Sequence, residues 1–390
     1  SFNILMIDDN SLNAFAAPGG VIGINGGLFL YAENEGQFAS VLAHELAHLS
    51  QRHFARNVLY SKDNNLASVL VMVSAMAAAV ATNNPNAFMA GPAFLQQQSL
   101  RYSRLFEREA DRVGFNNLIN AQYDPSSMGE MFEQMAKMRR LAGDNIPEFL
   151  LTHPISSSRV ADAFNAADQV ESQYSKKDSL DYQLIRGRLR IKYEEIPLNA
   201  IRKIQGIIKD DPSNENRYAL AVAYKRGNKY QDSLDMIDGL INENPKNLIL
   251  QNTKAEILLD KGDAEGALKI VNNALNISPK NFPLSVLKAK ILSYKKELFA
   301  AEEIIRDQLL RRNTDPYLWL YLSEIQRDSK NVVGYHRSRA EYFLLLGQYE
   351  DALNQLQFAL KLTENNFQIS ESIMTKINTT RKIIEGTRGQ

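Results

Sequence analysis

The chain has 390 residues, room for two or three domains at about 150 residues each, and 44% of them are hydrophobic, enough for a sizeable core. Forty-five basic residues balance 45 acidic ones, which argues against recognition of nucleic acid or an anionic membrane through net charge. Cysteine is absent. That excludes disulfides, thiol catalysis and thiolate-ligated zinc or iron–sulfur centres. A metal site must therefore draw on carboxylates and five histidines: His44, His48, His53, His153 and His336.

The opening run, Phe2 to Ile7, reads as a strand, with no basic stretch, apolar stretch and small-residue cleavage site before it. Native sequence is therefore expected ahead of Ser1. A second strand-like run, Val21–Ile24, follows a Gly-rich turn. A helix is predicted from Asn34, which can cap it while Gln37 reaches back. Its positions from Phe38 to Leu49 are mostly apolar or small, so the helix should be buried.

That helix carries His44-Glu45-Leu46-Ala47-His48, an H-E-x-x-H. Histidines four apart sit about 40° apart around a helix and can grip one ion. Glu45 lies beside them, placed to hold a water, and zinc is the ion that suits imidazoles with a carboxylate. Without an ion, two unpaired histidines and a glutamate on a buried helix would be costly. On an unbroken helix His53 would point about 140° away from His48, so it is read as a surface residue or an outer support for a ligand. Gln51 and Phe54 exclude the longer H-E-x-x-H-x-x-G-x-x-H pattern.

Leu66–Thr82 is an uncharged run of 17 residues, short of the ~20 that a membrane span needs. It suits a buried or cleft-covering helix, or contact with a partner or a membrane surface. An apolar loop follows, through Leu95. On the next helix Glu107, Asp111 and Gly114 share one stripe at i, i+4 and i+7. Gly114 would let this helix approach the first closely. Glu107 could then reach the zinc, and Asp111 could accept a hydrogen bond from the far nitrogen of a zinc histidine. Glu109, about 200° around from Glu107, should face elsewhere. His153 falls between Ala142 and Ser158, where Pro147 and Pro154 rule out continuous helix.

From about residue 178 the grammar changes. Prolines at 212, 245, 279 and 316 step by 33, 34 and 37 residues, near the tetratricopeptide period of about 34. Small residues recur at matching places: Ala219, Ala223 and Gly227, then Ala255, Gly262 and Ala267, then Ala340, Gly347 and Ala352. A solenoid of about five helix pairs is expected, closed by a capping helix over about 366–386. Tyr224, Trp319, Tyr335 and Tyr349 could line a peptide groove, but packing between repeats is the expected role. Ser329–His336 reads as an irregular loop or broken repeat, and His336 as a surface residue.

H-E-x-x-H followed roughly 60 residues later by Glu107-x-x-x-Asp111 resembles the M48 peptidases, which are gluzincin metalloendopeptidases. Asn13–Gly20 with Val21–Asn25, and Thr152-His153-Pro154 with Arg159, look familial too. The expected fold class is therefore α+β, mainly α. A gluzincin-type domain with a small β-sheet would occupy 1–175, and an all-α tetratricopeptide solenoid 176–390. The resemblance implies one zinc per chain on His44, His48 and Glu107, with His153 as a removable fourth ligand that keeps the enzyme latent. It implies Glu45 as the general base and Arg159 as a transition-state or loop-anchoring cation. Substrate would add as a strand along Asn13, Ala14 and Phe15 or along Val21 and Gly23, because backbone pairing reads extended chains without demanding one sequence. The repeat-bearing members of this family further imply a periplasmic protease and chaperone-like quality-control factor. Its clients would be outer-membrane β-barrel proteins, and its repeats would meet their assembly machinery. The alternative is a mainly non-proteolytic chaperone or scaffold. Glu45 favours the enzyme, since a scaffold needs no general base.

Overall fold

A computed structural model describes residues 2–60, 104–143, 146–170, 177–363 and 366–388. The apolar run Leu66–Thr82 and the loop through Leu95 lie outside the described residues, and no described helix is long and apolar enough to cross a membrane.

Three strands form a small sheet: β1 (Asn3–Ile7), β2 (Ala14–Ala17) and β3 (Val21–Asn25). β3 is the central strand, parallel to β1 and antiparallel to β2. The placing of substrate along Val21 and Gly23 is thereby corrected. Both edges of β3 are already paired, Val21 with Asn3 and Ala17 and Gly23 with Leu5 and Phe15. The Phe15 ring also covers Gly23, where an added Cβ would overlap it.

After the short helix α1 (Gly27–Tyr31) comes α2 (Glu35–Ser50). Asn34 caps α2, its side chain accepting from the Gln37 N–H at 2.8 Å, while Gln37 accepts from the N–H of Glu33 at 2.9 Å. The cap thus satisfies one backbone donor that the helix leaves orphaned, at Gln37, and a second in the chain just before it, at Glu33. α2 ends at Gln51, and Arg52 adopts the left-handed conformation with φ 54°. α3 (His53–Tyr60) restarts on a new axis. The rest of this region is α4 (Arg104–Asn120), α5 (Ser126–Leu141), α6 (Glu148–Thr152) and α7 (Ser157–Asp168). Its core joins Ile22 and Ile24 of the sheet to Val41 of α2, Leu118 of α4, Met128, Met131 and Met135 of α5 and Phe149 of α6. Gly114 is where α4 meets α2: a Cβ there would stand 3.1 Å from the backbone of Ala43 and His44.

Further helices follow: α8 (Leu180–Lys192), α9 (Pro197–Ile207), α10 (Asn214–Arg226), α11 (Tyr230–Glu243), and α12 (Leu248–Lys261) packed on α13 (Ala264–Ile277). Then come α14 (Phe282–Tyr294) with α15 (Leu298–Leu309), α16 (Pro316–Asp328) with α17 (Val332–Leu345), and α18 (Tyr349–Lys361) before the long α19 (Phe367–Arg388). Alanines at the crossings, such as Ala255, Ala267, Ala274, Ala289 and Ala301, let paired helices close on Leu284, Leu287, Ile291 and Ile305. Trp319 packs against this core as expected.

The turns inside the pairs keep the period better than the prolines do. Asn228, Gly262, Lys296 and Lys330 all have positive φ, between 59° and 95°. Each is followed by an N–H that bonds back five residues, as in Asp263 to Leu258, Glu297 to Leu292 and Asn331 to Gln326. Ser329–His336 is therefore no broken repeat but the same turn, with Lys330 in place of glycine and α17 starting at Val332. His336 is half-buried rather than a surface residue, bonded to Gln355 at 2.8 Å and stacked on Phe358.

The described residues form two compact units that divide within α10, between Ala223 and Tyr224. α8 belongs to the first unit because its side chains grip the start of α2. Tyr182 packs on Phe29 and Phe38, and its hydroxyl donates to the Asn34 carbonyl at 3.2 Å. Arg186 donates to the Phe29 carbonyl at 3.0 Å, and Glu35 exchanges hydrogen bonds with Asp178 and Ser179.

Candidate metal centre

α2 supplies His44, Glu45 and His48, α4 supplies Glu107, and His153 caps the C-terminus of α6. All five are buried, none more than 3% exposed. One donor atom each from His44, His48, Glu107 and His153 converges within 4.8 Å of the others. His44 Nε2 lies 3.0 Å from His48 Nε2 and 3.4 Å from His153 Nδ1. The Glu107 carboxylate lies 3.6 Å from His44 Nε2, 3.3 Å from His48 Nε2 and 3.0 Å from His153 Nδ1. Donors ~2.05 Å from a tetrahedral ion are about 3.3 Å apart, so these separations are short enough for the groups to share one ion.

Charge points the same way. Glu107 and Asp111 are both held as carboxylates: burial alone would push their pKa values up, but the histidines hold Glu107 well below the usual range, and His44 with Arg159 lower that of Asp111. Arg159 neutralises one of the two negative charges. With no cation in the cluster the other falls to His44: burial opposes its protonation, yet Asp111 and Glu107 push its pKa up to about 10. His48 goes the opposite way, because burial keeps it neutral well below the ordinary histidine value. A divalent ion would take over from the His44 proton, which is the fit expected of a metal site.

Glu45 is fully buried and 3.5 Å from His153 Nε2. Neither of its oxygens has a well-formed hydrogen bond among the described residues. Burial raises its pKa, offset in part by the imidazoles of His153 and His44 and by the backbone of Ala16. The closeness of Ala16 places the carboxylate beside β2, an edge strand of the sheet.

Around the donors, Asp111 Oδ1 stands 3.0 Å from His44 Nδ1. Arg159 grips Asp111 with two bonds of 2.7 Å and reaches Glu107 at 2.8 Å and the Pro154 carbonyl at 2.9 Å. Its guanidinium is thus fully engaged. Of the two roles expected for Arg159, the geometry matches the anchor of the His153 loop, not a cation facing substrate. Asn13, Ala14 and Phe15 are buried, and Asn13 donates to Glu148 at 3.0 Å. Their side chains therefore do not face a substrate, and β2 can offer only its backbone.

His53 is not at the surface. It is fully buried, its Nδ1 2.9 Å from His48 Nδ1 and its Nε2 3.1 Å from Glu109. Glu109 does face away from the donors, as the helix geometry predicts, but onto His53 and Arg56. The sequence reading assumed an unbroken helix. The left-handed Arg52 turns the chain back, and no Gly or Pro at that point announces it.

Residues 1–167 match the sequence profile of peptidase family M48. A provisionally named β-barrel assembly-enhancing protease of Vibrio cholerae is 32% identical over 259 residues, 63% of this chain and 52% of that one. The β-barrel assembly-enhancing protease of Escherichia coli K12 is 30% identical over 279 residues, 68% of this chain and 55% of that one. The chain thus spans about half the length of these relatives. Mitochondrial metalloendopeptidase OMA1 of Saccharomyces cerevisiae is 30% identical over 171 residues, 43% of this chain and 47% of that one. Residues 1–167 therefore carry the match to peptidase family M48.

Proposed function

We propose that the chain is a zinc-dependent endopeptidase of the periplasm that acts on outer-membrane β-barrel proteins, is latent at rest, and recruits clients through its repeats. The observation that carries the catalytic part is the buried cluster of His44, His48, Glu107 and His153 beside the buried carboxylate of Glu45. Three of the four donors suffice for a catalytic zinc, one ion per chain. A zinc ion held there supplies Lewis acidity, acidifying a water and polarising the scissile carbonyl. Glu45 accepts the proton of the attacking water and returns it to the leaving amide nitrogen. Its burial, which disfavours the ionised form, makes it a ready base. The substrate backbone pairs along β2, Ala14–Ala17, and so passes the Glu45 carboxylate near Ala16. The far nitrogen of His44 is oriented by Asp111, and Arg159 ties Asp111, Glu107 and the His153 loop together.

His153 is the fourth donor, and four protein donors leave no open position for water. It sits on the short α6 and must withdraw for turnover. The substrate class, the assembly machinery as partner and the compartment rest on the likeness to β-barrel assembly-enhancing proteases. The saturated donor set also supports a second reading, a chaperone or scaffold that holds clients without cutting them.

A cleavage assay on an unfolded β-barrel protein, run beside an assembly assay, separates the two. Glu45→Gln should lower cleavage by 10²–10⁴-fold while zinc stays bound; assembly unaffected by the change would favour the scaffold. His153→Ala should raise cleavage several-fold. An unchanged or lower rate with zinc in place would refute latency.

A further inference from the structure

The two α2 histidines are supported differently. His44 meets a carboxylate directly, through Asp111, whereas the Nδ1 of His48 meets another imidazole, that of His53. We propose that His53 and Glu109 form a relay that fixes the tautomer and ring orientation of His48, making His53 a positioning residue for the metal. The inference rests on the reading of the cluster as a metal site.

The proton inventory allows one arrangement. For His48 to offer Nε2 as a ligand while neutral, its proton must sit on Nδ1. That N–H then donates to His53 Nδ1 across 2.9 Å. His53 must accept there, so its own proton sits on Nε2 and donates to Glu109 Oε2 across 3.1 Å. Glu109 is the terminal acceptor, and Arg56 donates to the same oxygen at 2.9 Å. The His53 ring lies flat on Phe106 (4.8 Å between centroids, 13° between planes), which fixes its plane. Phe106 immediately precedes Glu107, so the element that delivers a donor also holds the relay. The turn at Arg52 is what swings His53 back over α2.

The test measures zinc affinity by competition with a chelator, together with the melting temperature of the metal-free protein. His53→Phe keeps the stack on Phe106 but offers no acceptor. It should weaken zinc binding by about 10–100-fold, the usual effect of removing an outer partner of a metal ligand. His53→Asn restores an acceptor near Nδ1 and should bring affinity back to within about threefold of the parent. Glu109→Gln still accepts a hydrogen bond but loses the charge, and should weaken zinc binding by a smaller factor than His53→Phe. Binding by His53→Phe within about threefold of the parent overturns the relay. So does His53→Asn binding as poorly as His53→Phe. If His53→Phe fails to fold, Glu109→Gln decides: unchanged zinc affinity in a folded protein overturns the relay. A parent chain that binds no zinc refutes the metal reading itself, whereas a parent that binds zinc with insensitive variants refutes only the relay.

Discussion

In the repeat region each helix packs chiefly on the next one along the chain, and one small set of contacts recurs every period. Ala255 and Ala289 occupy matching places, as do Gly262 and Lys296. The metal centre has no such redundancy: its donors come from positions 44, 48, 107 and 153, each used once. A repeat can lose one good residue and keep its shape, because the stabilisation is spread over many similar interfaces. The centre cannot, because its donors must meet within a few tenths of an ångström and its buried charges must balance.

The sharpest break of that contrast is Glu107→Ala. It removes a donor and the only anion within the set, and peptidase activity should fall by about 10³-fold or more, as zinc loss removes several kcal/mol of stabilisation. Metal analysis of the purified variant checks the cause. Gly114→Val attacks the same site through packing alone. Its side chain meets the backbone of Ala43 and His44, so α4 must move away from α2. We expect a loss of about 3 kcal/mol in stability, seen in denaturant unfolding, and weaker zinc binding. A variant as stable as the parent would mean that the close approach is not needed.

The repeats should yield the smallest effects, and in the opposite direction. Lys296 and Lys330 hold left-handed turns with φ 65° and 61°, where Gly262 shows the unstrained solution. Lys296→Gly and Lys330→Gly should each stabilise by about 0.5 kcal/mol, the relief of strain exceeding the added freedom of the unfolded chain. The thermal midpoint of each variant reads this out. A loss instead would show that the lysine side chains do more than their exposure suggests.

Much of both regions is readable along the chain. H-E-x-x-H sets three groups by helix geometry alone, and Glu107, Asp111 and Gly114 fall on one stripe for the same reason. What escaped was non-local or lacked a residue signature. The turns at Lys296 and Lys330 carry no glycine, so the stretch after Ser329 looked irregular. The break at Arg52 has neither Gly nor Pro, so His53 seemed to point away. The sheet order could not be deduced from two apolar runs, and β3 turned out to be the strand without a free edge.

The sequence by itself determined the local frames: which residues share a helix face, where the period of about 34 residues runs, and which chemistry its histidines and carboxylates permit. Tertiary structure alone decided that residue 107 and residue 153 meet His44 and His48, that Arg159 bonds Asp111 and the Pro154 carbonyl, that His53 stands behind His48, and that α8 packs on the start of α2. The physical reason is range. Helical spacing is fixed by covalent geometry within a few residues, whereas the meeting of distant groups depends on how helices pack, and a single left-handed residue or one missing Cβ can redirect that.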